Sequence, residues 1–248
     1  MTRTKPGKRA ATPKRAAGAP RRTSSARTRQ PRTQPEPASP VPAPRAIGRI
    51  PEIAAIAAGG LVLVAAGMSA LRIGALPDWL GNLLFWIGLM LVVLPAFARL
   101  ILSAVARWER ITLILLIAEG TYLVKVLREP VMFTFHDELS HIRTLTDVVA
   151  SGRLYEPNSL LVVSPVFPGL ESVTSAVIHL GDVPMFIAGV LVIAAARAVL
   201  AVALFLIYER AAESTSVAAL GVAFYMLNPS FLFFSATYVY ESLGLALA

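Results

Sequence analysis

The chain has 248 residues, 56% hydrophobic and 15% charged, with a mean hydropathy of +0.65 and a formal net charge of +8. A soluble domain lies nearer 45–50% apolar and about 25% charged, so this composition excludes an ordinary water-soluble domain and points to a chain that crosses a membrane several times. Cysteine is absent, which excludes a disulfide framework and any thiolate metal site and leaves the redox compartment open.

Residues 1–46 carry twelve lysines and arginines against one acid, Glu36, while the rest of the chain carries eleven basic and fourteen acidic residues. The segment is Lys, Arg, Pro, Ala, Ser and Thr with almost no large apolar side chain. It cannot bury enough surface to offset its ordering entropy and reads as a disordered, basic cytoplasmic tail. Its charge sets the orientation of the chain by the positive-inside rule and suits anionic lipid. No aromatic residue is available to stack on bases, so nucleic acid is not an expected partner. The first apolar run starts only after about fifty residues, too late for a signal peptide, whose apolar region follows within 15–30 residues.

Residues 47–110 read as two N-terminal transmembrane helices. The first span, about 53–71, is rich in Ala and Gly, which suits close helix contact in lipid. A turn with Pro77 and Asp78 leads to the second, about 80–101, with a kink expected at Pro95. Arg107, Trp108 and Arg110 mark an interface before the third span, about 111–127, which holds Glu119. The fourth, about 185–208, has Arg197 in its middle, where an arginine is expected to face the protein interior and an acidic partner. The fifth, about 216–235, is interrupted by Asn228-Pro229. A sixth apolar run from Ser242 is too short to cross, so the chain reads as truncated or as completed by a partner. With the tail inside, three spans place the long connection 129–184 outside, and five return residues 236–241 to the same side.

Within that connection, residues 133–158 hold two of the three histidines, His136 and His141, and the only adjacent acids, Asp137 and Glu138. Thr134 followed by Asp137 fits a helix start with a hydroxyl at the N-cap and an acid three residues on. Leu139, Ile142, Leu145 and Val149 recur at helical spacing and Gly152 can end the run, so 135–151 reads as an amphipathic helix on the membrane surface. Asp137 and His141 lie four apart on one face, which Thr144 continues, and Glu138 points about 100° away. Three readings stay open: Asp137 or Glu138 as a general base or metal ligand with Arg143 on a phosphate; Asp137 and His141 as two metal ligands; or plain helix-start charges beside a surface histidine. Further on, Ser164-Pro-Val-Phe-Pro-Gly makes a rigid turn into a second short helix with Glu171 in its first turn and His179 near its end. The outer end of the fifth span carries Tyr238, Tyr240 and Glu241, a second candidate acid.

The stretches FHDELSHIRT, PNSLLVVSPVFPGLE and NPSFLFF with YES resemble bacterial membrane proteins of the C-type (GT-C) glycosyltransferase superfamily, over about residues 111–248. Members such as protein O-mannosyltransferases and aminoarabinose transferases take a sugar from a polyprenyl-phosphate donor. The resemblance implies an all-α fold, a polytopic transmembrane helical bundle with membrane-surface helices in one long extracytoplasmic loop, in the cell membrane. It implies Asp137, with Glu138 beside it, as general base on the acceptor or as metal ligand, with a divalent ion in metal-dependent members. His136, His141, Arg143, Glu171, Tyr240 and Glu241 are the expected substrate contacts, Arg143 for the donor phosphate. The partners expected are the polyprenyl-phosphate sugar and membrane lipids. Two rival readings remain: a non-catalytic membrane fragment or subunit, and a transporter whose path is lined by Arg197 and Glu119.

Overall fold

The computed structural model of the chain describes residues 48–102 and 105–248, and the basic tail at 1–46 lies outside them. The described residues are all-helical. In chain order the helices are α1 (Ile50–Arg72), α2 (Asp78–Ile101), α3 (Arg107–Arg128), α4 (His136–Ser151), α5 (Gly169–Gly181), α6 (Met185–Ala212), α7 (Thr215–Met226), α8 (Pro229–Phe234) and α9 (Tyr240–Leu247). One 3-10 turn, Ser164–Val166, lies between α4 and α5.

Three of these, α1, α2 and α6, are long and apolar enough to cross a membrane. Pro51 starts α1, where a missing N–H costs nothing, and Glu52 in the first turn complements the helix dipole. α1 and α2 pack glycine to glycine. A Cβ on Gly60 would lie 2.6 Å from the carbonyl oxygen of Gly88, and one on Gly88 would lie 2.5 Å from that of Gly60. That approach is closed to any residue with a side chain. α2 runs unbroken through Pro95.

The five crossings expected from the sequence are not all seen as single apolar helices. α3 has 22 residues but carries Glu109, Glu119 and Lys125 and falls outside the apolar set. It packs against α1, α2, α6 and α7, and Leu113, Ile114, Ile117 and Ala118 are buried among them. A helix surrounded by other helices need not be apolar for the sake of lipid. The expected span at 216–235 is two helices. α7 has 12 residues, a length of about 18 Å against roughly 30 Å of hydrocarbon. Pro229 has no N–H to continue α7, and Asn228 Oδ1 instead accepts from Ser230 N at 2.9 Å and caps α8.

Arg197, 1% exposed, faces the protein interior as expected, but its bonds do not go to a carboxylate. Its guanidinium bonds the Ser235 hydroxyl, the Ala118 carbonyl (2.9 Å) and Thr121 Oγ1 (3.3 Å). The rings of Phe231 and Tyr122 lie 4.7 and 5.5 Å from it. One arginine thus joins α3, α6 and the 231–235 segment, and desolvation is offset by directed dipoles and ring faces.

The helices place charged groups at two ends. At one end, Glu109 is gripped by Arg99 at 2.8 and 3.2 Å, and Arg107 pairs with Glu209 at 2.7 and 2.8 Å. Arg110 donates to the carbonyls of Leu100 (2.9 Å) and Leu102 (3.0 Å), satisfying acceptors that the end of α2 would leave open. The other end holds the close of α3, the connection with α4 and α5, and α9.

Candidate functional site

The site is assembled from the first turn of α4, the turn before α5 and residues 233–245. The turn of chain into α4 is fixed by Glu138, which is fully buried. The N-cap is Phe135 rather than Thr134, so the acid three residues on is Glu138 rather than Asp137. Glu138 Oε2 accepts from the backbone N–H groups of Thr134 and Phe135, both at 3.2 Å. Its Oε1 accepts from Tyr238 N at 2.9 Å and meets the Lys125 ammonium, which also donates to the Ala236 carbonyl at 3.0 Å. Lys125 Nζ stands 5.2 Å from the Phe135 ring centroid and 5.7 Å from that of Phe133. Glu138 therefore ties the end of α3, the start of α4 and the 236–238 segment together. With every partner in place it is a clamp, and it does not line the large cavity beside it.

The next residue does. Asp137 has an 82% exposed side chain, and His136 beside it is 93% exposed, with Nδ1 and Oδ1 3.6 Å apart. Both line a cavity of about 1020 Å³. Its walls are mostly apolar and aromatic: Phe135, Leu161, Phe167, Phe233, Phe234 and Leu245. Polar groups come from His141, Ser235, Thr237, Tyr240, Glu241 and Ser242. The Phe167 and Tyr240 rings stack at 5.5 Å, and Tyr240 meets the His141 ring edge to face at 5.2 Å. The Glu241 carboxylate beside it raises the Tyr240 phenol above its ordinary pKa. Behind the wall, Tyr238 stacks on Phe133 at 5.0 Å and donates to Thr174 Oγ1 at 2.8 Å. Burial holds that phenol above its ordinary value, so it stays protonated as a donor. Gly189 of α6 makes room for the Phe133 ring, which would lie 2.9 Å from a Cβ there.

α4 buries a face that is half polar. His141 Nδ1 lies 2.9 Å from Glu171 Oε1 and 3.1 Å from Ser164 Oγ. Ser164 Oγ is 2.9 Å from Thr144 Oγ1, and Asn158 Nδ2 donates to Thr144 Oγ1 (2.8 Å) and to the Ser140 carbonyl (2.9 Å). Asn158 Oδ1 closes its own turn by accepting from Leu160 N at 2.8 Å. Ser164, His141 and Glu171 are the residue types of an acyl-transfer triad, but the arrangement is not one. Serine and acid address the same ring nitrogen, whereas the triad needs them on opposite nitrogens.

Of the residues expected from the sequence, the structure brings His136, Asp137, His141, Tyr240 and Glu241 to one cavity. Glu171 sits behind His141, out of the cavity. Arg143 points away: its side chain is 62% exposed and pairs with Asp147 at 3.1 Å on the outer face of α4. Among the described residues no lysine or arginine lines the cavity. Among the described residues no three His, Asp or Glu side chains converge as a metal set, so Asp137 and His141 lack a third ligand. The site roles of Lys125, Asn158, Ser164 and Phe167 are additions to the sequence reading, although Ser164 and Phe167 belong to the rigid turn read there and Asn158 to the turn-forming Pro157-Asn158-Ser159. Comparison with protein-family models, curated proteins and solved structures gives no match.

Proposed function

We propose that the chain is a multi-pass membrane glycosyltransferase that moves a sugar from a polyprenyl-phosphate donor to an acceptor hydroxyl held in the cavity, in the manner of the GT-C enzymes it resembles. The observation that carries this reading is Asp137: an open carboxylate on the first turn of α4, facing a large cavity with aromatic walls at one end of the apolar helices. Aromatic faces suit the C–H surface of a sugar ring, and the carboxylates and hydroxyls suit its hydroxyl groups. In the reaction, the acceptor oxygen forms its bond to the anomeric carbon as the carbon–oxygen bond to phosphate breaks, and the phosphate leaves with the electron pair. Asp137 takes the acceptor proton. The described residues of the cavity lining are aromatic, hydroxyl and carboxylate groups, and the reading assigns them to the sugar and the acceptor.

The same reading places the tail in the cytoplasm and the cavity outside the cell membrane. Its support is the charge of residues 1–46, twelve lysines and arginines against one acid; the helix ends add little, because Arg99, Arg107 and Arg110 at the end away from the cavity are balanced by Arg72, Lys125 and Arg128 at the other. Single cysteines at the exposed positions Ser159 and Ala212 should react with an impermeant reagent from opposite sides of intact cells. Reaction of Ala212 but not Ser159 from outside reverses the topology. For the activity, membranes holding the chain should transfer or hydrolyse a prenyl-phosphate hexose, and Asp137→Asn should lower the rate about 10²–10⁴-fold, the loss typical of a missing general base. Equal rates in the two remove Asp137 from the chemistry.

A further inference from the structure

The buried polar group behind the cavity contains a hydrogen-bond order that can be read from geometry alone. His141 lines the cavity, and its polar contacts among the described residues are at Nδ1, with Glu171 Oε1 at 2.9 Å and Ser164 Oγ at 3.1 Å. A carboxylate oxygen that close to a bare nitrogen would set lone pair against lone pair, so Nδ1 carries the hydrogen. Ser164 Oγ is also 3.2 Å from Glu171 Oε1 and donates there. With its hydrogen on Glu171, Ser164 Oγ accepts at 2.9 Å from Thr144 Oγ1, a shorter contact than the 3.5 Å from Thr144 Oγ1 to the Ser140 carbonyl, and Thr144 accepts from Asn158 Nδ2. The hydrogens of Nδ1, Ser164 and Thr144 then run toward Glu171, and the other Asn158 hydrogen goes to the Ser140 carbonyl. A hydrogen on His141 Nε2 would have no acceptor among the described residues.

We infer that Glu171 is a positioning residue that holds His141 by Nδ1 as the neutral Nδ1–H tautomer, leaving a bare Nε2 at the cavity wall to accept a hydrogen bond from a ligand hydroxyl. The bond made by one ring nitrogen decides the state of the other. The inference rests on the proposed sugar site only for the identity of that hydroxyl. Ser140, Thr144 and Asn158 carry the arrangement back into α4, so the imidazole is held by a network with little freedom to rotate. Glu171 Oε2 is buried with no partner, so all the polar contacts of this carboxylate fall on the oxygen that faces His141.

Ring nitrogen-15 NMR on the whole chain in lipid nanodiscs reads the tautomer directly. The chain has three histidines, and His141→Gln identifies the signal by its loss. At about pH 8, above the ordinary histidine range, His141 should show a protonated Nδ1 and an unprotonated Nε2. Glu171→Leu should move the ratio of the two tautomers at least about tenfold toward Nε2–H, the effect of losing a hydrogen bond to a charged group. Ser164→Ala should leave it unchanged. Adding a prenyl-phosphate hexose should shift the Nε2 resonance and leave that of His179 in place. An Nε2–H tautomer or an imidazolium in the unaltered chain overturns the inference, as does a ratio unmoved by Glu171→Leu. If Glu171→Leu does not fold, Ser164→Ala decides: loss of the Nδ1–H form there gives the orienting role to Ser164 instead. A donor that binds without moving His141 also overturns it. A donor that does not bind sinks the transferase reading and leaves the dyad to stand on its tautomer.

Discussion

The two charged ends of the molecule handle the same residue types in opposite ways. At the Arg99 end two acids are closed by arginines: Glu109, 3% exposed, by Arg99, and Glu209 by Arg107. At the cavity end one acid is closed in the same fashion, Glu138 by Lys125 and three backbone N–H groups, and its neighbour Asp137 is left open. Adjacent helical residues point about 100° apart, so one turn of α4 puts Glu138 in the interior and Asp137 at the cavity. Residue type says nothing about which acid holds the fold and which is free to react. Partners and burial do.

Substitutions can break or sharpen this contrast. The largest effect expected is on rate: Asp137→Asn should remove about 10²–10⁴-fold of transfer while leaving unfolding in detergent within about 0.5 kcal/mol of the parent. A large stability loss there would erase the distinction between the neighbours. Glu138→Ala should do the reverse. It leaves Lys125 without its carboxylate and should lower stability by about 3–5 kcal/mol, the range for breaking one side of a buried pair, read as an earlier unfolding midpoint. A protein that melts normally with Glu138→Ala would show that the clamp is idle. At the opposite end, Glu109→Gln keeps shape but removes the charge facing Arg99, and a loss of about 1.5–3 kcal/mol follows from weaker bonds to a charged group. No change in transfer should accompany it beyond what unfolding explains. Least of all, Arg143→Ala removes an exposed i, i+4 pair with Asp147, so unfolding should move by less than about 0.5 kcal/mol and donor binding not at all. A drop in donor affinity with Arg143→Ala would return this residue to the phosphate role expected from the sequence.

Much of this was legible in the sequence, with the failures concentrated where distant segments meet. Apolar runs located α1, α2 and α6, because lipid-length helices need nothing beyond their own composition. Gly152 was legible as the end of α4: its φ of +67° is a conformation that glycine adopts without strain. The start of α4 was displaced by one residue because two acids compete for the same helix position. Local capping rules cannot see that Lys125 and Tyr238 N, 13 and 100 residues away, favour Glu138. Asp137, His141 and Thr144 follow one another at helical spacing, yet only Asp137 is open to solvent. The 158–164 segment bonds Thr144 through Asn158 and the Nδ1 side of His141 through Ser164, and leaves His141 only an edge on the cavity. The expected acid near Arg197 is Glu119, which acts on it by charge, while its hydrogen bonds and ring contacts go to carbonyls, hydroxyls and aromatic faces, none of which announces itself in a hydropathy pattern.

The bond from Tyr238 N to Glu138 also sets a clock. The two residues are 100 positions apart, and a ribosome adds roughly 5–20 residues each second, so the chain is made for about 5–20 s before this bond can close. During that interval Glu138 and Lys125 have each other but lack the far segment. Phe233, Phe234, Tyr240 and Glu241, which complete the cavity, have not yet been synthesised. The pocket is therefore among the last features to assemble, after α1, α2 and α6 have been made. A defect in α8 or α9 would leave a chain whose apolar helices are inserted and whose cavity wall never forms, a species that passes a membrane-integration assay and fails only a ligand one.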